Sequence, residues 1–111
     1  MKNLLILILD HGDLVDDIFH ELSKNGFNAT VLNARSIKHI IEDEEETDDI
    51  HFLNISHLNK NTFATTTTCY FIVDDVELNK LKDLIRTSTD NFKKIKGAMF
   101  SYPINDLEGT I

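Results

Sequence analysis

The sequence predicts an α+β fold with elements in the order β-α-β-β-α-β, and three observations carry that prediction. An unbroken apolar run, LLILIL, occupies residues 4–9. Two later stretches, LVDDIFHEL and VELNKLKDLI, repeat apolar residues every three or four positions, the period of an amphipathic helix. TFATTTTCYFIV and GAMFSYPI are rich in β-branched and aromatic residues, as strands are.

Taken in order, residues 4–9 form a first strand, expected to be buried on both faces. A helix follows, with Leu14, Val15, Ile18, Phe19 and Leu22 on its inner face. Asp13 is its candidate N-cap, Asp16 and Asp17 suit its positive end, and Gly26 supplies its stop. Residues 27–33 read as the second strand and 62–73 as a long third strand. Asp74 and Glu77 have the spacing of a capping box before a second helix that buries Leu78, Leu81, Leu84 and Ile85. Residues 97–104 complete the set, with Pro103 placing the end of that strand at an edge.

Right-handed crossovers turn this order into a four-stranded antiparallel sheet with two helices on one face, the ferredoxin-like split βαβ arrangement. The other face is then without helices. In the third strand, Ala64, Thr66, Thr68 and Tyr70 alternate with Thr65, Thr67, Cys69 and Phe71, and neither set is charged. A sheet with two uncharged faces and helices for one implies that a second subunit covers the other.

A chain of 111 residues fits one domain, residues 1–111, and hydrophobic content of 41% is ordinary for a globular protein. The net charge of -8 is concentrated. Seven of the 19 acids lie in EDEEETDD, residues 42–49, and the 12 that remain nearly balance 11 bases. That argues against nucleic-acid binding, which needs a basic footprint. A single cysteine, Cys69, excludes an internal disulfide framework and fits a reducing, cytoplasmic setting. Residues 4–9 are too few for a signal-peptide core, and no run approaches the ~20 apolar residues of a membrane span.

The acidic run lies in the connection between the second and third strands, residues 34–61. Its 28 residues exceed what a hairpin needs, which points to a functional or disordered segment. A mobile acidic loop is expected there. SIKHII before the acids and IHFLNISHL after them either extend the strands or form a short helix.

GFNATVLNA at 26–34, FIVDDVELNKL at 71–81 and GAMFSYPI at 97–104, in this element order, resemble the PII-like signalling superfamily. It comprises the nitrogen-regulatory PII proteins, cyclic-di-AMP receptors of related fold and CutA-type proteins. The resemblance implies a homotrimer with ligand clefts between subunits. It also implies that residues 34–61 correspond to the T-loop, which senses ligand and touches a target. Glu42, Asp43, Glu44, Glu45, Glu46, Asp48 and Asp49 would then be the partner-contacting tip. The ligand motifs differ from the family's. Where PII proteins have a Gly-x-Gly-Lys turn, this chain has Ile95, Lys96, Gly97 and Ala98, and NDLEGTI, residues 105–111, contains no base. Where the cyclic-di-AMP branch has Gly-Gly-Phe, this chain has Ser36, Ile37 and Lys38. ATP or ADP held in the PII manner is therefore not expected, and the effector is left open.

The densest basic patch is KKIKG, with Lys93, Lys94, Lys96 and Gly97. The family arrangement implies that Arg35, Ser36 and Lys38 face it across a subunit boundary, forming a cleft for phosphate or another small anion. The plain alternative is a solvated loop whose lysines suit the negative end of a helix. His39, His51 and His57 are the candidate metal ligands, but no zinc or calcium pattern frames them, and solvated surface is the favoured reading. Asp10, His11 and Asp13 read as a strand-end turn and helix cap, His20 as a surface or boundary residue, Cys69 as a small buried hydrophobe. No catalytic motif is present, so no enzyme is expected.

These readings give a cytoplasmic trimeric regulator. It binds a small anionic effector and contacts a target, such as a transporter or metabolic enzyme, with no nucleic acid and no membrane insertion. A CutA-like metal-binding trimer and an interaction module that has lost its effector site are the alternatives.

Overall fold

The computed structural model describes residues 1–38, 40, 41 and 66–110. The elements follow the expected order: β1 (Lys2–Leu9), α1 (Leu14–Lys24), β2 (Thr30–Ala34), β3 (Thr66–Asp74), α2 (Asp75–Thr89) and β4 (Gly97–Pro103). The strands form one antiparallel sheet in the order β2-β3-β1-β4. β3 separates β1 from β2, and β1 separates β3 from β4. Each strand–helix–strand unit thus straddles a strand of the other, the ferredoxin-like arrangement.

Strand alternation places the core. Leu5, Leu7 and Leu9 of β1 are fully buried, and Phe71 and Cys69 lie opposite Leu5 and Leu7 on β3. Val15, Ile18 and Leu22 of α1 and Leu81 and Ile85 of α2 close over them. α1 and α2 cover the same sheet face. Leu4, Ile6 and Ile8 point the other way and are only half-buried, so the described elements cover β1 on one face where two were expected.

The face opposite α1 and α2 carries Thr30, Leu32 and Ala34 of β2, Thr66, Thr68, Tyr70 and Ile72 of β3, the even residues of β1, and Ala98, Phe100 and Tyr102 of β4. Its charges are confined to the rim, where Lys2 Nζ meets Asp74 Oδ1 at 3.2 Å. Leu32, Phe100 and Tyr102 are each about half exposed.

Helix ends differ in part from expectation. Asp13 occupies the N-cap position of α1 but makes no side-chain cap bond. Asp74 occupies that of α2 and likewise makes none, because its carboxylate is turned to Lys2; the Asp74–Glu77 capping box does not form. Gly26 does stop α1. At φ +87 it follows the C-cap Asn25, and its N–H donates to the Ser23 carbonyl at 3.0 Å while that of Phe27 donates to Leu22 at 3.0 Å. These are the two bonds of a Schellman motif. It holds Phe27, with Asn28 and Ala29, ahead of β2, which begins three residues later than predicted. β1 in turn begins two residues earlier than predicted, at Lys2.

α2 ends in a left-handed turn. Asp90, Asn91 and Phe92 have φ of 52, 55 and 61°, a conformation costing roughly 1–2 kcal/mol per residue outside glycine. Thr89, fully buried, clamps it: its hydroxyl donates to the Ile85 carbonyl at 2.8 Å and accepts the Phe92 N–H at 3.0 Å. Asn91 N–H to Arg86 O (2.8 Å) and Lys94 N–H to Thr89 O (3.1 Å) complete the clamp.

After β2 the chain is helical at residues 37, 38, 40 and 41, with Ile40 N–H donating to Ser36 O at 3.0 Å. SIKHII therefore begins a helical turn and does not extend β2. Residues 42–65, including the predicted acidic tip and the first part of the predicted third strand, lie outside the described residues.

Candidate functional site

Pairing register locates the basic residues. Asn33 lies opposite Thr67, Thr67 opposite Leu9, and Leu9 opposite Gly97. The end of β2, the start of β3, the end of β1 and the start of β4 thus share one end of the sheet. Arg35, Ser36 and Lys38 follow β2 there, and Lys93, Lys94 and Lys96 precede β4 at the same end. All are exposed. β2 and β4 are opposite edges, however. Three strand spacings separate them, about 14 Å, so one chain does not gather the predicted anion ligands.

Asp10 stands between the two groups, at the end of β1. Its backbone N–H donates to the Lys96 carbonyl at 2.8 Å, and its carboxylate accepts the His11 backbone N–H at 2.9 Å and lies 3.2 Å from His11 Nδ1. This is the strand-end turn expected of Asp10 and His11. A carboxylate at the centre leaves positive charge to the two edges.

The lysines near β4 stand on a rigid base. Lys93 N–H donates to Asp90 O at 3.1 Å, Lys94 is held by Thr89, and buried Ile95 anchors the segment. No ion pair among the described residues involves Lys93, Lys94 or Lys96. Gly97 has a packing reason of its own: a Cβ there would collide with the Ile8 carbonyl oxygen and press on Leu9.

The remaining candidates separate cleanly. His20 is exposed on α1. Cys69 is fully buried, and burial pushes its thiol up to about 11, so it stays protonated. Among the described residues, no group of three or more His, Cys, Asp or Glu is placed to hold a metal ion. His39, His51, His57 and the acids of 42–49 lie outside those residues. No described helix is long and apolar enough to cross a membrane.

Two recesses had no sequence signal. An apolar one of about 180 Å³ opens beside β2, lined among others by Phe19, Phe27, Val31 and Phe71. A groove of about 580 Å³ runs between the end of α1 and α2, with Glu77, Lys80 and Asp83 on its wall. Both are made by the angle between helices and sheet, which residue spacing does not encode.

No family model matches the chain, and no curated protein matches it. Among solved structures, it is similar to the crystal structure of a functionally unknown protein from Pediococcus pentosaceus ATCC 25745. The TM-score is 0.61 at 10% identity, covering 98% of this chain and 97% of that one. At that identity the likeness shows the fold alone: this chain shares a ferredoxin-like α+β architecture with that protein over nearly the whole length of both.

Proposed function

We propose that the chain is the subunit of a PII-like homotrimeric regulator. It binds a small anionic effector in clefts between subunits and contacts a target protein, such as a transporter or metabolic enzyme, through residues 34–61. The observation that carries this reading is the division of the cations between the two edges at one end of the sheet. Arg35 and Lys38 complete a cleft with Lys93, Lys94 and Lys96 only when they come from different subunits. The uncharged sheet face opposite α1 and α2 supports the same reading, since a second subunit over it would take Leu32, Phe100 and Tyr102, each about half exposed, out of water. The acids of 42–49 favour a basic target surface and make the encounter salt-sensitive.

The test is thermal unfolding against ATP, ADP, AMP, cyclic-di-AMP, bicarbonate and inorganic phosphate, and against Mg²⁺, Zn²⁺ and Cu²⁺ with and without chelator. Light scattering gives the mass in parallel. A ligand at 100 times its Kd adds about 2.7 kcal/mol, a shift of several degrees for a domain of this size. The expected result is a trimer mass and a shift with an anionic ligand. A monomer mass, or a response to metal alone that chelation abolishes, overturns it.

A further inference from the structure

Asn25 and Gly26 form the one Asn-Gly pair in the chain, at the turn where α1 ends. A glycine nitrogen has no neighbouring Cβ to hinder it, so once the backbone moves it attacks the side-chain carbon of a preceding asparagine. The fold holds this pair out of reach. Asn25 has φ -91 and ψ 11, so the Gly26 nitrogen nearly eclipses the main-chain nitrogen of Asn25 and stands well away from its Cβ. The five-membered ring needs the Gly26 nitrogen and Cβ eclipsed instead. Both reacting groups are also engaged. The Gly26 N–H donates to the Ser23 carbonyl at 3.0 Å, and the Asn25 side-chain amide donates to the Glu21 carbonyl at 2.8 Å and to its carboxylate at 3.4 Å. Asn25 is itself exposed, so geometry and not burial keeps it inert.

We infer that Asn25 is a fold-gated self-modification site: opening of the α1 terminus lets the Gly26 nitrogen attack Asn25 Cγ, and the product no longer rebuilds that terminus. The N–Cγ bond forms as the Cγ–Nδ2 bond breaks, and ammonia leaves with the proton of the Gly26 amide. Water then opens the cyclic imide at one of its two carbonyls. Opening at Cγ gives aspartate. Opening at the main-chain carbonyl gives isoaspartate, in which the chain runs through Cγ. One water enters and one ammonia leaves, with no oxidant or cofactor. The chemistry needs no second subunit, so it holds for a monomer and a trimer alike.

Each product damages the end of α1 in its own way. Aspartate lacks the amide donor that closes on the Glu21 carbonyl. It also sets a second carboxylate against that of Glu21, four residues away at the negative end of the helix. Isoaspartate adds a main-chain carbon within residue 25, so the bonds from Gly26 to Ser23 and from Phe27 to Leu22 lose their register. Phe27 packs against the core and lines both recesses beside α1, so loosening it widens both. Opening speeds the reaction, and the reaction favours opening. The conversion therefore runs one way and records how often this corner of the molecule has opened.

Wild type and Phe27→Ala are incubated at pH 8 in buffer and in guanidinium chloride. The peptide containing residue 25 is followed by mass spectrometry, with aspartate and isoaspartate separated by chromatography. The expected result for wild type is conversion at least about tenfold slower in buffer than in denaturant. Phe27→Ala should convert faster than wild type in buffer and at the same rate in denaturant. Should Phe27→Ala not fold, its two rates coincide and the wild-type ratio alone decides. Asn25→Asp should lower the denaturant midpoint. Wild-type conversion as fast in buffer as in denaturant, or a folded Phe27→Ala that converts no faster than wild type, overturns the gate. An Asn25→Asp midpoint equal to that of wild type overturns the one-way step.

Discussion

The side-chain amide of Asn3 donates to the Asp75 carboxylate at 2.7 Å, joining the buried start of β1 to the first turn of α2. Asn3 is one of two buried polar side chains among the described residues. The bond places a carboxylate at a helix N-terminus and gives the central strand a fixed partner in the helical layer.

Asn3→Ala removes that bond and is expected to lower the midpoint of denaturant unfolding. The same pair sets a pH response. The Asn3 hydrogen bond, aided by the amine of Met1 and opposed by partial burial, holds the Asp75 carboxyl below its usual range. Its stabilising contribution is full above the unfolded value, near pH 4, and is lost as pH falls through the lower folded value. Between pH 5 and pH 2, wild type should lose more stability than Asp75→Asn. Parallel curves for the two proteins would show that the pair does not contribute.

Thr89→Val keeps the shape and removes the hydroxyl. The Phe92 N–H is then left without its acceptor beside a core residue, at an expected cost of about 1–3 kcal/mol. Asn91→Gly, an exposed change at φ 55, relieves the left-handed conformation and is expected to stabilise by a few tenths to about 1 kcal/mol. Urea midpoints of the two variants should move in opposite directions.

Phe100→Asp puts a charge on edge strand β4, on the sheet face opposite α1 and α2 and level with Ile6. If copies cover this face, the variant should lower the mass seen by light scattering while its far-ultraviolet dichroism is unchanged. A wild-type mass for the variant would mean that the face is not buried between subunits.

Cys69 should react with a thiol reagent at pH 8 only as fast as the protein opens. With its thiol pushed up to about 11 in the folded state, burial favours the neutral form. That contribution is present below the unfolded value, about 8.5, and fades as pH rises towards the folded one. Rapid labelling at pH 8 without denaturant would contradict this placement.

Element order, both helix faces and the strand alternation were legible because each is a period in the residues: 3.6 in Val15, Ile18 and Leu22, two in Leu5, Leu7 and Leu9. Gly26 was legible as a stop because only a few residues accept its φ. The caps were not. Asp13 and Asp74 are the right residue type at the right position, but Lys2, a strand away in space, competes for Asp74, and sequence spacing carries no such competitor. The start of β2 was misplaced because Phe27 reads as a strand residue yet is drawn into the end of α1. For the candidate site, the residue types were legible, and the expected ferredoxin-like arrangement already placed Arg35 and Lys96 apart within one chain. What only the pairing register gives is their common end of the sheet, on opposite edges of the strand order β2-β3-β1-β4.

That strand order also governs how the protein can be made. β1, the most apolar strand, leaves the ribosome before either neighbour exists: its ladder partners are residues 67–74 on one side and 97–103 on the other. Until both have been synthesised, LLILIL has no sheet to enter, and such segments are the ones that chaperones shield and that aggregate when they are not shielded. A chain cut short before residue 97 would complete α1 and α2 and still leave β1 open along one side.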